Sequence, residues 1–299
     1  MTGSTSLEDL RALPFEAVNG ANVLQVGLDS LFGQFTYGPT VDESIVPDLP
    51  GRLLAQGRFD KTVDILTGYN IDEGLTFTNP FVSNDDELTA YLRQALPRAS
   101  DEVLETIQAE LYPPVFDGSF GYKDEIKRLA TIVADSGFVC NTRYLQEAFG
   151  GVGDGVSYGY VFAVPPGLHG QDVVYTYFTG AEVAEGSEGT AGIDSDGNDD
   201  ASAESTDAAA DAAADADAEV EPDAFNVVRD VGVARELQRY VVTFAETGTP
   251  VGEEIPDFPV YGRAEDGTEV VVLDPRGIVT APDAAAGERC AFWQAAPYF

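Results

Sequence analysis

The sequence predicts an α/β fold, in which helices flank a central, largely parallel sheet. Three short runs rich in β-branched and aromatic residues, 63–67, 156–164 and 268–273, have strand character. Segments with the apolar spacing of helices separate them, between 85 and 149 and between 229 and 247. The order strand, helices, strand, helix, strand is typical of one half of an α/β sheet.

Composition limits the possible partners. The chain has 299 residues and is 44% hydrophobic, which is enough apolar material for a sizeable core. Its 52 acidic residues against 16 Lys and Arg give a formal net charge of -36. This charge argues against nucleic acid or an anionic membrane surface as a partner. No apolar run approaches the length of a membrane span, and residues 1–6 lack the features of a signal peptide.

The first predicted elements precede a turn that carries two acidic residues. Residues 6–11 predict a short capped helix, and residues 53–59 predict another helix and turn before the strand at 63–67. The chain then breaks at Asn70 into a turn with adjacent carboxylates, Asp72 and Glu73, and Gly74 ends it. We therefore expect a strand that presents an acid at its carboxyl end.

The middle of the chain is predicted to be helical. Residues 85–96 and 100–111 each start at a capping residue, and Pro97 separates them. Residues 122–149 carry an apolar stripe that we expect to be interrupted near Gly137. The strand at 156–164 follows a glycine-rich loop.

The last third begins with an abrupt change of composition. Residues 181–223 contain fifteen Asp and Glu and no Lys or Arg, which predicts a disordered acidic loop. Asp194 begins a stretch similar to a calcium loop, but the required glycine and final Glu are missing. Helical spacing returns at 229–247, and a last strand at 268–273 and a closing helix at 289–299 are expected.

The strongest candidate for chemistry is His169, the only histidine in the chain. It lies beyond the second predicted strand, as Glu73 lies beyond the first, so both are expected at the same edge of the sheet. An acid and a histidine there are two thirds of a hydrolytic triad. A loop histidine with local hydrogen bonds and a solvated turn carboxylate are the alternatives, and Asp72 competes with Glu73.

The segments around these residues resemble a known family. Residues 68–74 read GYNIDEG with Phe77 following, and residues 167–172 read GLHGQD. Both are similar to the acid and histidine segments of the type-B carboxylesterase, lipase and cholinesterase family. The resemblance implies an α/β-hydrolase in which Glu73 orients His169 and His169 activates a serine. It covers nearly the whole chain, but only the carboxyl-terminal half of the family's fold.

Several expectations rest on this resemblance. It implies one partial domain over residues 1–299, interrupted by the acidic loop at 181–223, with the nucleophile and the oxyanion loop upstream. The chain alone is then expected to be inactive, and the complete enzyme to cleave a small-molecule or lipid carboxylic ester. A non-catalytic, esterase-like binding protein is the alternative.

Further expectations concern the cysteines and cofactors. The resemblance implies a disulfide between Cys140 and Cys290, and therefore a secreted protein, whereas the first residues alone would indicate the cytoplasm. It implies no cofactor and no metal. Glycine usually stands in the family where this chain has Glu43.

Two motifs in the chain are not expected to be functional. Residues 155–159 spell the G-x-S-x-G pattern around Ser157, but a loop precedes this serine and a strand follows it, the reverse of a nucleophile elbow. Residues 151–155 contain only part of a dinucleotide-binding fingerprint and lead into a strand, so a turn is the better interpretation.

Overall fold

The predicted α/β architecture is confirmed by a four-stranded mixed sheet with helices on both faces. A computed structural model describes residues 1–34, 37–151, 155–180, 227–253, 256–262, 268–285 and 287–299. The strands are β1 (Ile65–Asn70), β2 (Ser157–Phe162), β3 (Glu269–Asp274) and β4 (Gly277–Pro282), in that spatial order. β1 and β3 each pair in parallel with β2, and β4 pairs antiparallel with β3.

The helices flank this sheet, and along the chain they come before, between and after its strands. They are α1 (Leu7–Ala12), α2 (Phe15–Asp29), α3 (Pro50–Ala55), α4 (Asp85–Ala95), α5 (Asp101–Glu105), α6 (Glu125–Ala134), α7 (Cys140–Gly151), α8 (Gln171–Thr176), α9 (Val231–Thr247) and α10 (Glu288–Ala295). A short 3-10 helix covers Leu75–Phe77, and π-helical turns cover Thr106–Leu111 and Asp135–Val139.

The core lies on both faces of the strands because successive residues of a strand point to opposite sides. Val271 and Leu273 of β3 pack in a cluster with Leu237 and Tyr240 of α9. The alternate β3 residues 270 and 272 pack in a second cluster with residues 134 and 139, at the ends of α6 and the following turn. Burial on both faces explains why the central strands read as continuous apolar runs.

Capping residues set several helix limits as the sequence predicts. Ser6 and Asp9 form a reciprocal capping box at α1, and Asn84 caps α4 by accepting from the backbone of Glu87. Gly248 ends α9 in the left-handed conformation, with φ 77°. The helix predicted at 289–299 ends earlier, at residue 295, because Ala296 turns left-handed and a proline follows it.

Other elements differ from the prediction. The break expected near Gly137 is wrong: a π-helical turn carries the chain directly from α6 into α7. The side-chain amide of Asn141 donates to the carbonyls of Ser136 and Gly137, at 3.3 and 2.9 Å, and so ties this turn to the start of α7. The strand predicted at 63–67 lies further along, at Ile65–Asn70, and β3 is followed by the unpredicted strand β4.

Two helices are also absent from the prediction, α2 and α8. The predicted disordered loop and the calcium-like stretch lie outside the described residues, as does most of the glycine-rich turn at 151–155. Within the described part of the chain, no helix is both long and apolar enough to cross a membrane.

Candidate active site

The site forms where the parallel pairing of β1 and β2 continues past the ends of both strands. The main-chain N–H of Ile71 donates to Phe162 at 3.1 Å, and that of Asp72 donates to Gly167 at 2.8 Å. An isolated parallel bridge pairs Asp72 with Leu168. Because Glu73 and His169 each come one residue later, the backbone brings them side by side.

Glycine permits the backbone conformation of both segments beside these pairs. Gly74 lies against the carbonyl of Ala130 in α6, where no space exists for a β-carbon. Gly167 has φ 67°, in the left-handed region, and packs closely on the side chain of Ile71. Both glycines belong to the segments from which the sequence predicts the site.

Glu73 and His169 form a directly bonded pair. Oε2 of Glu73 lies 2.5 Å from Nδ1 of His169, and Oε1 accepts from the main-chain N–H of Asn70 at 2.7 Å. Glu73 is buried, whereas the His169 side chain is 40% exposed. Burial raises the pKa of the Glu73 carboxyl, and the hydrogen bonds from Asn70 and His169 oppose this shift.

Two aromatic rings hold the imidazole of His169. The ring centroid of Phe77 lies 4.9 Å from that of His169, in an edge-on arrangement, and that of Phe138 lies 4.5 Å away. Phe77 belongs to the 3-10 turn after Glu73, and Phe138 to the π-helical turn between α6 and α7. These ring contacts and the Glu73 carboxylate hold the imidazole through its Nδ1 side. Nε2 is then the nitrogen that can accept a proton.

Asp72, the competing acid, faces another partner. Its carboxylate forms a short ion pair with Lys127 of α6, and both side chains are largely buried. Burial raises the pKa of Asp72, and the neighbouring Lys127 ammonium opposes this shift. Of the two adjacent acids, Glu73 is therefore the one in contact with the imidazole.

A second polar cluster, which the sequence does not predict, lies beside the pair. The side-chain amide of Asn70 donates to Asp172 at 3.2 Å, and the hydroxyl of Tyr160 donates to the other Asp172 oxygen at 2.9 Å. Burial, followed by the charge of Asp172, raises the pKa of Tyr160 strongly. Asn70 and Asp172 stand inside the two recognised segments, but residue type alone does not indicate that they meet.

Ser157 lies at the opposite end of the sheet. It is the first residue of β2, is fully buried, and pairs with Ile65 at the start of β1. Five residue steps along a strand span about 16 Å, so Ser157 is remote from the Glu73 carboxylate. The G-x-S-x-G pattern is thus a feature of the buried strand.

Cys140 and Cys290 are joined in a disulfide, which links the start of α7 to α10. Both cysteines are buried, and they pack in one apolar cluster with Tyr144 and Trp293. Within the described ranges, no group of three or more His, Cys, Asp or Glu side chains could hold a metal ion.

Comparison with known proteins gives a family match over most of the chain. The sequence profile of the carboxylesterase family matches residues 4–293. The carboxylesterase patB of Aspergillus clavatus is 30% identical over 290 residues, which are 97% of this chain and 43% of that protein. The patB protein of Penicillium expansum is 29% identical over 291 residues, with the same two coverages.

The fold is shared with a solved structure. The crystal structure of Aspergillus niger EstA superposes with a TM-score of 0.67 at 15% identity, over 98% of this chain and 52% of that one. This chain therefore spans about half the length of the proteins that it resembles. With a family match over almost its whole length, the chain belongs to the carboxylesterase family.

Proposed function

We propose that this chain supplies the acid and the general base of a carboxylic ester hydrolase, with Glu73 orienting His169. The contact of 2.5 Å between the Glu73 carboxylate and Nδ1 of His169 carries the proposal. The nucleophilic serine and the oxyanion donors would come from chain outside these 299 residues. Alone, residues 1–299 are then inactive.

The proposed roles follow from proton positions. Nδ1 of His169 keeps its hydrogen and donates it to Glu73, so Nε2 can take the proton of the serine hydroxyl as that oxygen attacks the ester carbonyl. The imidazolium then gives this proton to the leaving alcohol, and an acyl-enzyme remains. Water hydrolyses the acyl-enzyme by the same steps. Glu73 stays ionised throughout and stabilises the imidazolium.

Unpaired surfaces support the proposal that further chain completes this fold as one domain. β1 is an edge strand of the described sheet, with β2 on its only paired side. α2 buries none of its residues and exposes large apolar side chains, including Phe15, Leu24 and Leu28. Exposed apolar surface of this kind usually marks an interaction site. On this proposal, residues 1–299 are a partial domain.

The substrate is proposed to be a small-molecule or lipid carboxylic ester, from membership of the carboxylesterase family. The disulfide between Cys140 and Cys290 supports a secreted protein, because disulfides persist in oxidising compartments. The high negative charge makes nucleic acid an unfavourable partner.

A chimera tests the proposal directly. Residues 1–299 replace the matching 43% of the Aspergillus clavatus relative, and hydrolysis of a nitrophenyl ester is measured. His169→Ala is expected to lower kcat by about 1,000-fold or more. Ser157→Ala is the matched control, because this buried hydroxyl lies at the other end of β2, and its chimera should keep the parent activity.

Two results would contradict the proposal. The first is a folded, active chimera whose turnover survives His169→Ala. The second is turnover by residues 1–299 alone that is lost in both Ser157→Ala and His169→Ala, because Ser157 would then be the nucleophile. A chimera that folds, melts cooperatively and has no activity would favour the non-catalytic alternative.

A further inference from the structure

The polar cluster beside the Glu73–His169 pair contains a second carboxylate, Asp172. It is the second residue of α8 and follows His169 by three positions. Its two oxygens have different donors, the amide of Asn70 at 3.2 Å and the hydroxyl of Tyr160 at 2.9 Å. Asp172 is therefore held in one orientation by β1 and β2 together.

Asn70 connects the two carboxylates. Its main-chain N–H donates to Oε1 of Glu73 and its side-chain amide donates to Asp172. Asn70 is only 2% exposed, so water does not screen this connection. The two negative groups thus lie on either side of one buried residue.

The charges around the imidazole are unevenly distributed. Glu73 and Asp172 are the two carboxylates that accept from Asn70, so both negative charges lie on the Glu73 side of the imidazole. Tyr160 adds no charge, because burial raises the pKa of its hydroxyl. The negative charge of Asp72 is compensated by the ammonium group of Lys127. The charge of Asp172 also contributes to raising the pKa of Glu73.

We propose that Asp172 is a positioning residue of this site: held by Asn70 and Tyr160, it keeps negative potential on the Glu73–His169 pair and favours the imidazolium. This inference rests on the proposed function. Asp172 does not touch the imidazole in the hydrogen-bond network, so it acts through Asn70 and Glu73. A like charge beside Glu73 makes that carboxylate a stronger acceptor for the Nδ1 proton.

The lone histidine makes this proposal measurable without enzyme activity. His169 gives the only imidazole C–H signals in an NMR spectrum of the full 299-residue chain. The midpoint of its pH titration is measured in the parent chain and in Asp172→Asn. Asparagine has nearly the same shape and can accept from Tyr160. Asn70 can turn its amide so that its buried, unpaired Oδ1 accepts from the new amide.

Loss of this charge should lower the His169 midpoint by about half to one pH unit. Asp172→Glu, which keeps the charge, should restore most of the parent value. Asp86→Asn removes an exposed acid from the first turn of α4 and controls for net charge alone, so its midpoint should match the parent. Asp172→Ser is a second neutral variant for the case that Asp172→Asn does not fold.

The result that overturns the proposal is a folded Asp172→Asn chain with the parent midpoint. A fall of equal size in Asp172→Asn and Asp172→Glu would also overturn it, because packing and not charge would then be responsible. Glu73→Gln separates this inference from the proposed function. If Glu73→Gln lowers the midpoint and Asp172→Asn does not, only the role of Asp172 fails; if neither lowers it, the pair itself is wrong.

Discussion

Substitution of Asp135 by asparagine is expected to stabilise the fold increasingly as the pH rises. Asp135 opens the π-helical turn after α6, and its side chain is only 13% exposed. Burial raises its pKa from the ordinary 3.8 to about 6, against the hydrogen bond from Tyr112 at 2.7 Å and the charge of Arg289 at 3.8 Å.

The direction of this pH dependence follows from the pKa of the Asp135 carboxyl in the unfolded chain and in the folded chain. Well below pH 3.8 the Asp135 carboxyl is protonated in the folded and unfolded chains alike, and its burial has little electrostatic cost. As the pH rises through 6, the folded chain must bury a charge that the unfolded chain keeps in water. The difference between 3.8 and about 6 corresponds to a loss of about 3 kcal/mol in the free energy of unfolding.

Asp135→Asn removes this loss and keeps an oxygen that can accept from Tyr112. The free energy of unfolding of the variant, relative to the parent, should rise by about 1.4 kcal/mol between about pH 5 and about pH 7.5. The rest of the change in the free energy of unfolding occurs at lower pH. That range is nearer the sequence pI of 4.1, where net charge no longer keeps the protein soluble.

Urea denaturation followed by tryptophan fluorescence measures this difference. Trp293 is the only tryptophan, and its indole N–H donates to the Tyr112 hydroxyl at 2.9 Å, beside the substituted position. Asp86→Asn provides the control for loss of one exposed negative charge. A stability difference that stays constant or falls across this pH range would refute the reasoning.

Two further predictions concern the supports of the site. Gly74→Ala should lower the free energy of unfolding by about 1–3 kcal/mol, since its β-carbon would overlap the Ala130 carbonyl; Gly20→Ala, in open space on α2, is the control in the same urea titration and should not destabilise. Removal of the disulfide in Cys140→Ser/Cys290→Ser should cost up to about 5 kcal/mol, because it closes a loop with a sequence separation of 150. A reducing agent should then lower the melting temperature of the parent only; equal effects on both chains would contradict this.

The elements that the sequence predicted well are those with strong local signals. Capped helices such as α1 and α4 and the buried strand β2 fall close to the expected positions. β4 was missed because its residues are only partly buried and its last residue is a proline, which weakens the strand pattern. α2 has no buried face, so no apolar stripe marks it.

The turn near Gly137 shows a limit of local reasoning. A glycine in a helical pattern indicates a possible end, but here the flanking helices α6 and α7 pack on the sheet and hold the chain between them in a π-helical turn. Packing at both ends outweighs the local preference for a break. Tertiary contacts of this kind are not readable from a single sequence.

The sequence likewise predicts only part of the candidate site. Glu73 and His169 were found because each follows a strand in a recognisable segment. The partner of Asp72 depends on the alternation of side chains past the end of β1, which directs this acid to Lys127. The contacts of Asp172 depend on the register that pairs Asn70 with Phe162 and on where α8 begins. Neither the register nor the helix start could be fixed before the fold was known.

The position of the hydrogen on the His169 imidazole tests the central claim most directly. With Nδ1 at 2.5 Å from a carboxylate oxygen, the hydrogen of the neutral ring must lie on Nδ1, because two acceptors at this distance would repel. Nitrogen-15 NMR of this single histidine should therefore show the Nδ1–H tautomer above its titration midpoint, in the parent chain and in Asp72→Asn. An Nε2–H tautomer in the folded parent chain would contradict the assignment of Glu73 as the residue that orients the base.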